Sequence, residues 1–174
     1  ISKKTTAIIP VHFGGLPCNL KKIHTIAKNY NLDVIEDAAH ASGSKFNNKK
    51  IGSHSSAVCF SFHPVKNLAM PTGGLIAINH SKYKKFKKQL LARRWCGITD
   101  RKGADYDVKE LGWNYYMNEF SAVIGLQQLK KLDNLNKIRR NIAKKYFNEL
   151  NVKSKMPFNH NCSYHLYWIL VKNR

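Results

Sequence analysis

A lysine and an aspartate stand just after two apolar segments in the first half of this sequence. Lys66 follows the apolar run 57–60 and a turn in which Pro64 restricts the backbone. Asp37 closes an earlier apolar run, and no further acidic residue occurs until Asp100. If both runs are neighbouring parallel strands, their carboxyl ends bring Asp37 and Lys66 into one pocket, where ligands bind in open α/β sheets.

Lysine and aspartate have a joint chemistry at such a position. A partly desolvated lysine amine is available as the free base and can form a Schiff base with a carbonyl. If that carbonyl belongs to pyridoxal 5'-phosphate (PLP), a carboxylate must keep the pyridine nitrogen protonated, and Asp37 is the candidate. Ser61 is then a candidate for binding the cofactor phosphate, and His40 for meeting the ring or its hydroxyl.

Each of these residues also has an ordinary structural interpretation. Lys66 can be one of many surface lysines, and Asp37 can cap the turn at 38–40. His40 can be a hydrogen-bonded histidine of the core. Residue spacing alone leaves both interpretations open.

Length and composition favour a globular protein. The 174 residues suffice for a domain with a real core, and 43% of them are apolar. No apolar run approaches the about 20 residues of a membrane helix, so we predict no membrane segment. The four cysteines form no C-x-x-C pair, which favours a reducing, cytoplasmic location. We predict no metal site, because no histidine has ligand spacing and the pair Cys162 and His165 does not make one alone.

The basic composition has two interpretations. Thirty Lys and Arg against ten Asp and Glu give a formal net charge of +20, which would suit a nucleic-acid partner through counterion release. The basic residues are spread over predicted helix faces, however, and no DNA- or RNA-binding motif accompanies them. A lysine-rich solvated surface explains the charge equally well, so a basic nucleic-acid-binding fragment is the less favoured alternative.

Hydrophobic periodicity predicts alternating strands and helices, as in α/β proteins. The predicted elements are a strand at 7–11, a helix N-capped by Asn19, a strand at 32–35, a hairpin around Asn47-Asn48, strands at 57–62 and 75–78, a helix capped by Ser81 and ending at Arg94, a mobile loop at 97–112, and helical periodicity from Asn118. The first three form a parallel β-α-β unit. Around Asp133-Asn134 the periodicity leaves open one bent helix or two.

Five motifs follow one another along the chain. They are IPVH at 9–12, VIEDAAHA at 34–41, FSFHPVKN at 60–67, LGWNYYMNE at 111–119 and AVIGLQQLKKL at 122–132. In order and type they resemble the middle portion of the DegT/DnrJ nucleotide-sugar aminotransferase family, over roughly residues 5 to 150. Several ordered motifs are far more specific than a lone glycine pattern.

The resemblance implies a fold-type I PLP enzyme, like aspartate aminotransferase. By matching position, Lys66 is similar to the catalytic Schiff-base lysine and Asp37 to the partner of the pyridine nitrogen. His40 occupies the place of the Gln or His beside the ring, and Ser61 looks like a phosphate ligand. Asn114 is similar to the asparagine that reaches the phosphate of the neighbouring subunit, which implies a homodimer with shared active sites.

The implied reaction is ping-pong transamination. Glutamate, or glutamine, would load its amine onto PLP, with Lys66 as the base that shuttles the proton and 2-oxoglutarate as the product from glutamate. The amine would then pass to a nucleotide-linked keto-deoxy sugar, for amino-sugar and polysaccharide biosynthesis. The alternative within the family is a catalytically inactive regulator that binds PLP or a sugar, although retention of Lys66 and Asp37 disfavours it.

The expected fold class is α/β, with one domain boundary. Residues 1–132 are predicted to be a portion of the large, mostly parallel, aspartate-aminotransferase-like PLP domain. Residues 133–174 are predicted to be a linking helix and the start of a small α+β C-terminal domain. The chain is expected to be an internal fragment of a longer protein, inactive alone, because family motifs of the phosphate site precede residue 1.

Overall fold

The computed structural model of the chain describes residues 1–79 and 83–172. The strands are β1 (Ala7–Ile8), β2 (Asp33–Asp37), β3 (Lys45–Phe46), β4 (Lys49–Lys50), β5 (Ala57–Ser61), β6 (Gly74–Ile78), β7 (Ile98–Lys102), β8 (Asp105–Val108), β9 (Ser154–Lys155) and β10 (Ile169–Leu170). The helices are α1 (Leu20–Asn29), α2 (Tyr83–Arg94) and α3 (Glu119–Glu149), with a 3-10 turn at Phe13–Gly15. Within the described ranges, no helix combines the length and apolar character needed to cross a membrane.

The main sheet contains four strands in the order β1-β2-β5-β6. Strands β1, β2 and β5 are parallel, whereas β6 runs antiparallel to β5. The α/β prediction is therefore confirmed as a mixed α/β fold with a partly parallel sheet. Because β2 and β5 are parallel neighbours, the segments that follow them leave the sheet at the same edge.

Helix α1 forms where the sequence predicts it. The Asn19 side chain accepts a hydrogen bond from the Lys22 backbone N–H at 3.1 Å, which caps the first turn. Leu20 is buried in a core cluster with Ala38 and Val58. The helix is thus held against the sheet by its apolar face.

The hairpin around Asn47-Asn48 is also confirmed. Strands β3 and β4 pair antiparallel, with Lys45 opposite Lys50. Asn47 and Asn48 have φ values of 48° and 63°, in the left-handed region that the tight two-residue turn requires. Asparagine tolerates this conformation better than most residues with a β-carbon.

The prediction of a loop at 97–112 was wrong. Strands β7 and β8 form an antiparallel hairpin there, with Ile98 opposite Val108. The Arg101 guanidinium of β7 lies 5.1 Å from the Trp95 ring centroid and 5.7 Å from that of Tyr106 on β8, so the Tyr106 contact adds a side-chain interaction across the hairpin. The predicted helix before it is α2, while its predicted cap, Ser81, lies outside the described residues.

Helix α3 is a single helix of 31 residues. The Asn118 side chain caps it by accepting from the Ser121 backbone N–H at 2.8 Å. The helix runs through residues 132 and 133 without interruption, which settles the question of one helix or two. The proposed domain boundary therefore falls inside a helix, and the domain division stays a prediction.

His12 and Glu36 form a fully buried pair, each with 0% exposure. Nε2 of His12 lies 2.8 Å from Oε2 of Glu36, and Nδ1 accepts from the Cys18 backbone N–H at 3.0 Å. Because Nδ1 is an acceptor, the imidazole is neutral and Nε2 carries the proton donated to Glu36. Oε1 of Glu36 is buried without a hydrogen-bond partner among the described residues, so His12 compensates the carboxylate.

Gly125 allows helix α3 to approach the segment after Lys66. A β-carbon at this position would lie 2.6 Å from Sδ of Met70, which is buried. Met70 is fixed by its backbone N–H, which donates to the carbonyl of Phe62 at 2.9 Å. Glycine is therefore retained at a helical position where it costs about 1 kcal/mol of helix propensity.

His12→Leu should lower the free energy of unfolding by about 1–3 kcal/mol, since it leaves the buried Glu36 carboxylate without the hydrogen bond that His12 donates. Burial raises the pKa of Glu36, but the hydrogen bond with His12 outweighs it, and the pKa lies below its usual 4.5. The Glu36 carboxylate thus contributes its full stability above pH 4.5 and loses it as the pH falls further. Denaturant titrations of the protein at its full encoded length measure both effects. The double variant His12→Leu with Glu36→Leu should recover much of the lost free energy of unfolding. Equal stability of the single and double variants would contradict the role of His12 as the partner of the Glu36 carboxylate.

Gly125→Ala should destabilise the protein despite its better helix propensity, by about 1–3 kcal/mol, because the methyl group overpacks the Met70 contact. Met70→Ala removes the clashing atoms, so the two substitutions should not be additive. Thermal unfolding of the wild type, both single variants and the double variant measures this coupling. Additive effects would show that Gly125 and Met70 do not determine the approach of α3.

Candidate active site

Asp37 and Lys66 follow the same edge of the sheet. Asp37 is the last residue of β2 and pairs in register with Cys59 of β5. Lys66 lies in the turn after β5, which is closed by a hydrogen bond from its backbone N–H to the His63 carbonyl at 2.8 Å. Both residues are half-buried. The parallel pairing of β2 and β5 therefore brings both residues to one edge of the sheet, and their common pocket stays a prediction.

The Asp37 carboxylate keeps one oxygen available. Oδ1 accepts from the Ala39 backbone N–H at 3.0 Å, which fixes the side chain. Oδ2 has no hydrogen-bond partner among the described residues. Burial, and then the charge of Asp37, raises the pKa of the Cys59 thiol beside it. The capping interpretation of Asp37 therefore accounts for only one of its two oxygens.

The charges of both Asp37 and Lys66 affect the pKa of His40. Its Nδ1 accepts from the Gly14 backbone N–H at 3.3 Å, which leaves the proton on Nε2. Burial lowers the pKa of His40, the positive charge of Lys66 lowers it further, and the negative charge of Asp37 opposes them. His40 is therefore neutral at pH 7, with charged groups of both signs close to it.

Ser61 and Lys66 present polar groups without strong internal partners. Ser61 ends β5, and its hydroxyl oxygen accepts only a long bond, at 3.4 Å, from the His63 backbone N–H. Its hydroxyl hydrogen remains available for donation. In the part of the chain that the structure describes, the Lys66 amine forms no ion pair.

Asn114 has no described contact with these residues. Its segment is held to the end of α2 by hydrogen bonds from Trp113 N–H to the Arg93 carbonyl and from Tyr115 N–H to the Arg94 carbonyl, each at 2.8 Å. Asn114 itself is exposed. Its described contacts include none with Asp37, His40 or Lys66. Of the five predicted residues, Asp37, His40 and Lys66 act on one another electrostatically, Ser61 ends the strand that precedes Lys66, and Asn114 has no described link to them.

Sequence reasoning missed Asn67 and His165 at this site. Asn67 is buried, and Nδ1 of His165 lies 3.2 Å from its Oδ1. The His165 ring lies 4.4 Å from the His40 ring, between centroids. Asn67 could have been noted as the neighbour of Lys66, but no local pattern marks a partner 98 residues away. Over the described ranges, no group of three or more His, Cys, Asp or Glu is arranged to hold a metal ion.

The chain is similar in sequence and in fold to known proteins. An uncharacterized protein of Methanocaldococcus jannaschii, MJ1066, is 38% identical over 154 residues, or 86% of this chain and 40% of that protein. PseC of Helicobacter pylori, an aminotransferase involved in pseudoaminic acid biosynthesis, superposes with a TM-score of 0.84 at 27% identity, covering 96% of this chain and 46% of PseC. A Streptococcus pneumoniae protein, assigned as a sugar aminotransferase, superposes in its PLP form with a TM-score of 0.83 at 25% identity, covering 96% of this chain and 48% of that protein.

The chain spans less than half the length of these relatives. The S. pneumoniae protein has also been solved in a pyridoxamine phosphate form, which superposes with a TM-score of 0.86 at 26% identity, covering 99% of this chain and 49% of that one. The sequence profile of one aminotransferase family matches residues 1–174, the whole chain. The chain therefore belongs to the DegT/DnrJ/EryC1/StrS aminotransferase family.

Proposed function

We propose that the protein carrying this chain is a PLP-dependent aminotransferase that acts on a nucleotide-linked keto-deoxy sugar, with glutamate or glutamine as amino donor. One observation carries the proposal. Asp37, which keeps one carboxylate oxygen free, and Lys66, which forms no ion pair with a described residue, lie at or after the ends of adjacent parallel strands, and the charges of both shift the pKa of the neutral His40. Membership of the family supports the same reaction class. The PLP and pyridoxamine phosphate forms of the S. pneumoniae relative support the cofactor.

The residues at the site fit PLP. A protonated pyridine nitrogen needs one acceptor, and Oδ2 of Asp37 is free, while Oδ1 is held by Ala39. The cofactor phosphate needs donors, and Ser61 retains its hydroxyl hydrogen. When bound, PLP supplies an electron sink that makes removal of a proton from the amino-bearing carbon possible.

Lys66 and His40 have distinct parts in the proposed reaction. The Lys66 amine would hold the cofactor covalently and, once displaced by the substrate amine, would act as the base that moves the proton from the substrate carbon. The neutral His40 would present Nε2–H towards the cofactor ring, because its Nδ1 is bound by Gly14. The rigid turn before Lys66 would keep the amine within reach during this transfer.

The proposed assembly is a cytoplasmic homodimer. Asn114 would reach the cofactor phosphate of the neighbouring subunit, and its exposure and lack of a described contact with Lys66 support a role outside its own site. Residues 1–132 would belong to the large PLP domain and 133–174 to the linking helix and the start of the small domain. PseC and the S. pneumoniae protein are about twice as long as this chain, so activity is proposed for the protein at its full encoded length.

Lys66→Arg should abolish covalent attachment of PLP. In the wild type at its full encoded length, borohydride reduction with PLP followed by peptide mapping should label Lys66, because only an amine positioned by the site combines with the cofactor stoichiometrically. Lys49→Arg, at an exposed lysine of β4, is the matched control and should label like the wild type. No label at Lys66, or label scattered over surface lysines, would remove the basis of the proposal.

Asp37→Asn should lower kcat by at least about 100-fold, the size typical of one removed electrostatic group in an active site. The amide cannot hold a protonated pyridine nitrogen, so the loss should appear in both half-reactions, measured separately with glutamate and with the sugar substrate. Asp33→Asn, at the exposed start of the same strand, is the control and should leave kcat unchanged. Equal rates in the two variants would show that Asp37 has only its capping role.

A further inference from the structure

The segment at 162–166 lies against the candidate active site. The His165 ring lies against the His40 ring in a tilted contact, with 4.4 Å between centroids and 37° between planes. Ser163 donates its hydroxyl to the His40 carbonyl at 3.0 Å, and its backbone N–H donates to Oγ of Ser44 at 3.0 Å. Gly15 permits this approach, since a β-carbon there would lie 2.3 Å from Oγ of Ser163.

His165 also contacts the neighbour of Lys66 through a hydrogen bond of defined direction. Both amide hydrogens of Asn67 are donated, to Oδ1 of Asn136 and to the Ser163 carbonyl, each at 2.8 Å. Oδ1 of Asn67 is therefore an acceptor, and Nδ1 of His165, at 3.2 Å, must carry the proton. Since Asn67 is buried, losing this donor would leave its oxygen unpaired.

The charge state of His165 suits a structural contact beside a lysine. Burial lowers the pKa of His165 to about 4, and the neighbouring basic groups of His40, Lys66 and Arg139 act in the same direction. The ring is therefore neutral at pH 7 and adds no positive charge near Lys66. It supplies one donor and one ring face at the same time.

We propose that His165 is a positioning residue of this active site: its Nδ1–H holds the Lys66 turn through Asn67, and its ring face holds the imidazole of His40. The inference rests on the proposed function for what Lys66 and His40 do. The two contacts themselves are properties of the chain without cofactor. They belong to separate atoms of His165, so two substitutions separate them.

The test uses two variants of the protein at its full encoded length. His165→Phe keeps a ring against His40 but removes the donor to Asn67. His165→Asn keeps a donor near the position of Nδ1 but removes the ring. His160→Phe, at an exposed histidine two residues before this segment, is the control.

Each of the two substitutions should change one of two measurements, the rate of PLP attachment or the pKa of His40. With His165→Phe, the rate of borohydride-trapped PLP attachment at Lys66 should fall about tenfold, as expected when one buried acceptor loses its partner. With His165→Asn, that rate should stay near wild type. Imidazole NMR of the cofactor-free protein should instead show the pKa of His40 rising towards 6.5, because the ring that buries it is gone while Lys66 and Asp37 remain.

The outcomes separate this inference from the proposed function. If wild-type Lys66 is labelled and both His165 variants match the wild type in trapping and in His40 titration, His165 has no positioning role. If no variant, including the wild type, labels Lys66, the proposed function fails, and the NMR titration still decides whether the His165 ring holds His40. Circular dichroism and thermal unfolding must match those of His160→Phe. If His165→Asn is unfolded, His165→Gln replaces it as the variant with a donor and no ring; if His165→Phe is unfolded, His165→Tyr replaces it as the variant with a ring and no Nδ1 donor.

Discussion

The buried amide of Asn67 joins three separate parts of the chain. It donates to Asn136 on α3 and to the Ser163 carbonyl, and it accepts from His165. Asn136 in turn donates to the Ser42 carbonyl at 2.9 Å. An unpaired buried amide group costs about 1–3 kcal/mol, so the network favours the one arrangement that satisfies every member. The turn that carries Lys66 is therefore fixed by long-range contacts and not by its own sequence alone.

Acidic side chains are scarce in this chain, and two adjacent ones have opposite roles. Ten Asp and Glu face thirty Lys and Arg. Glu36 and Asp37 follow each other on β2, where successive side chains point to opposite faces. Glu36 is buried against His12, whereas Asp37 keeps an oxygen free at the strand end. The alternation of a strand thus divides one dipeptide into a core partner and a candidate ligand.

Sequence periodicity predicted the parallel part of the sheet well, because strand order and strand direction follow from a β-α-β unit. It also predicted the cap at Asn19 and a helix beginning near Asn118, because both signals are local. It missed the hairpin at 97–112. The polar residues and glycines there predict a loop, and the contacts of Arg101 with the rings of Trp95 and Tyr106 depend on the tertiary structure. Sequence periodicity also could not decide whether the helix around Asp133 is continuous, because both answers give the same apolar spacing.

The sequence by itself determined the order of the strands in the main sheet and of the helices, the family resemblance, and the placement of Asp37 and Lys66 after neighbouring strands. These follow from local patterns and from the geometry of parallel strands. Only the tertiary structure decided that Glu36 pairs with His12, that Asn114 has no described contact with Lys66, and that His165 contacts His40 and Asn67. The physical reason is that such contacts join residues far apart in sequence, and hydrogen-bond partners at that separation leave no periodic trace in the chain.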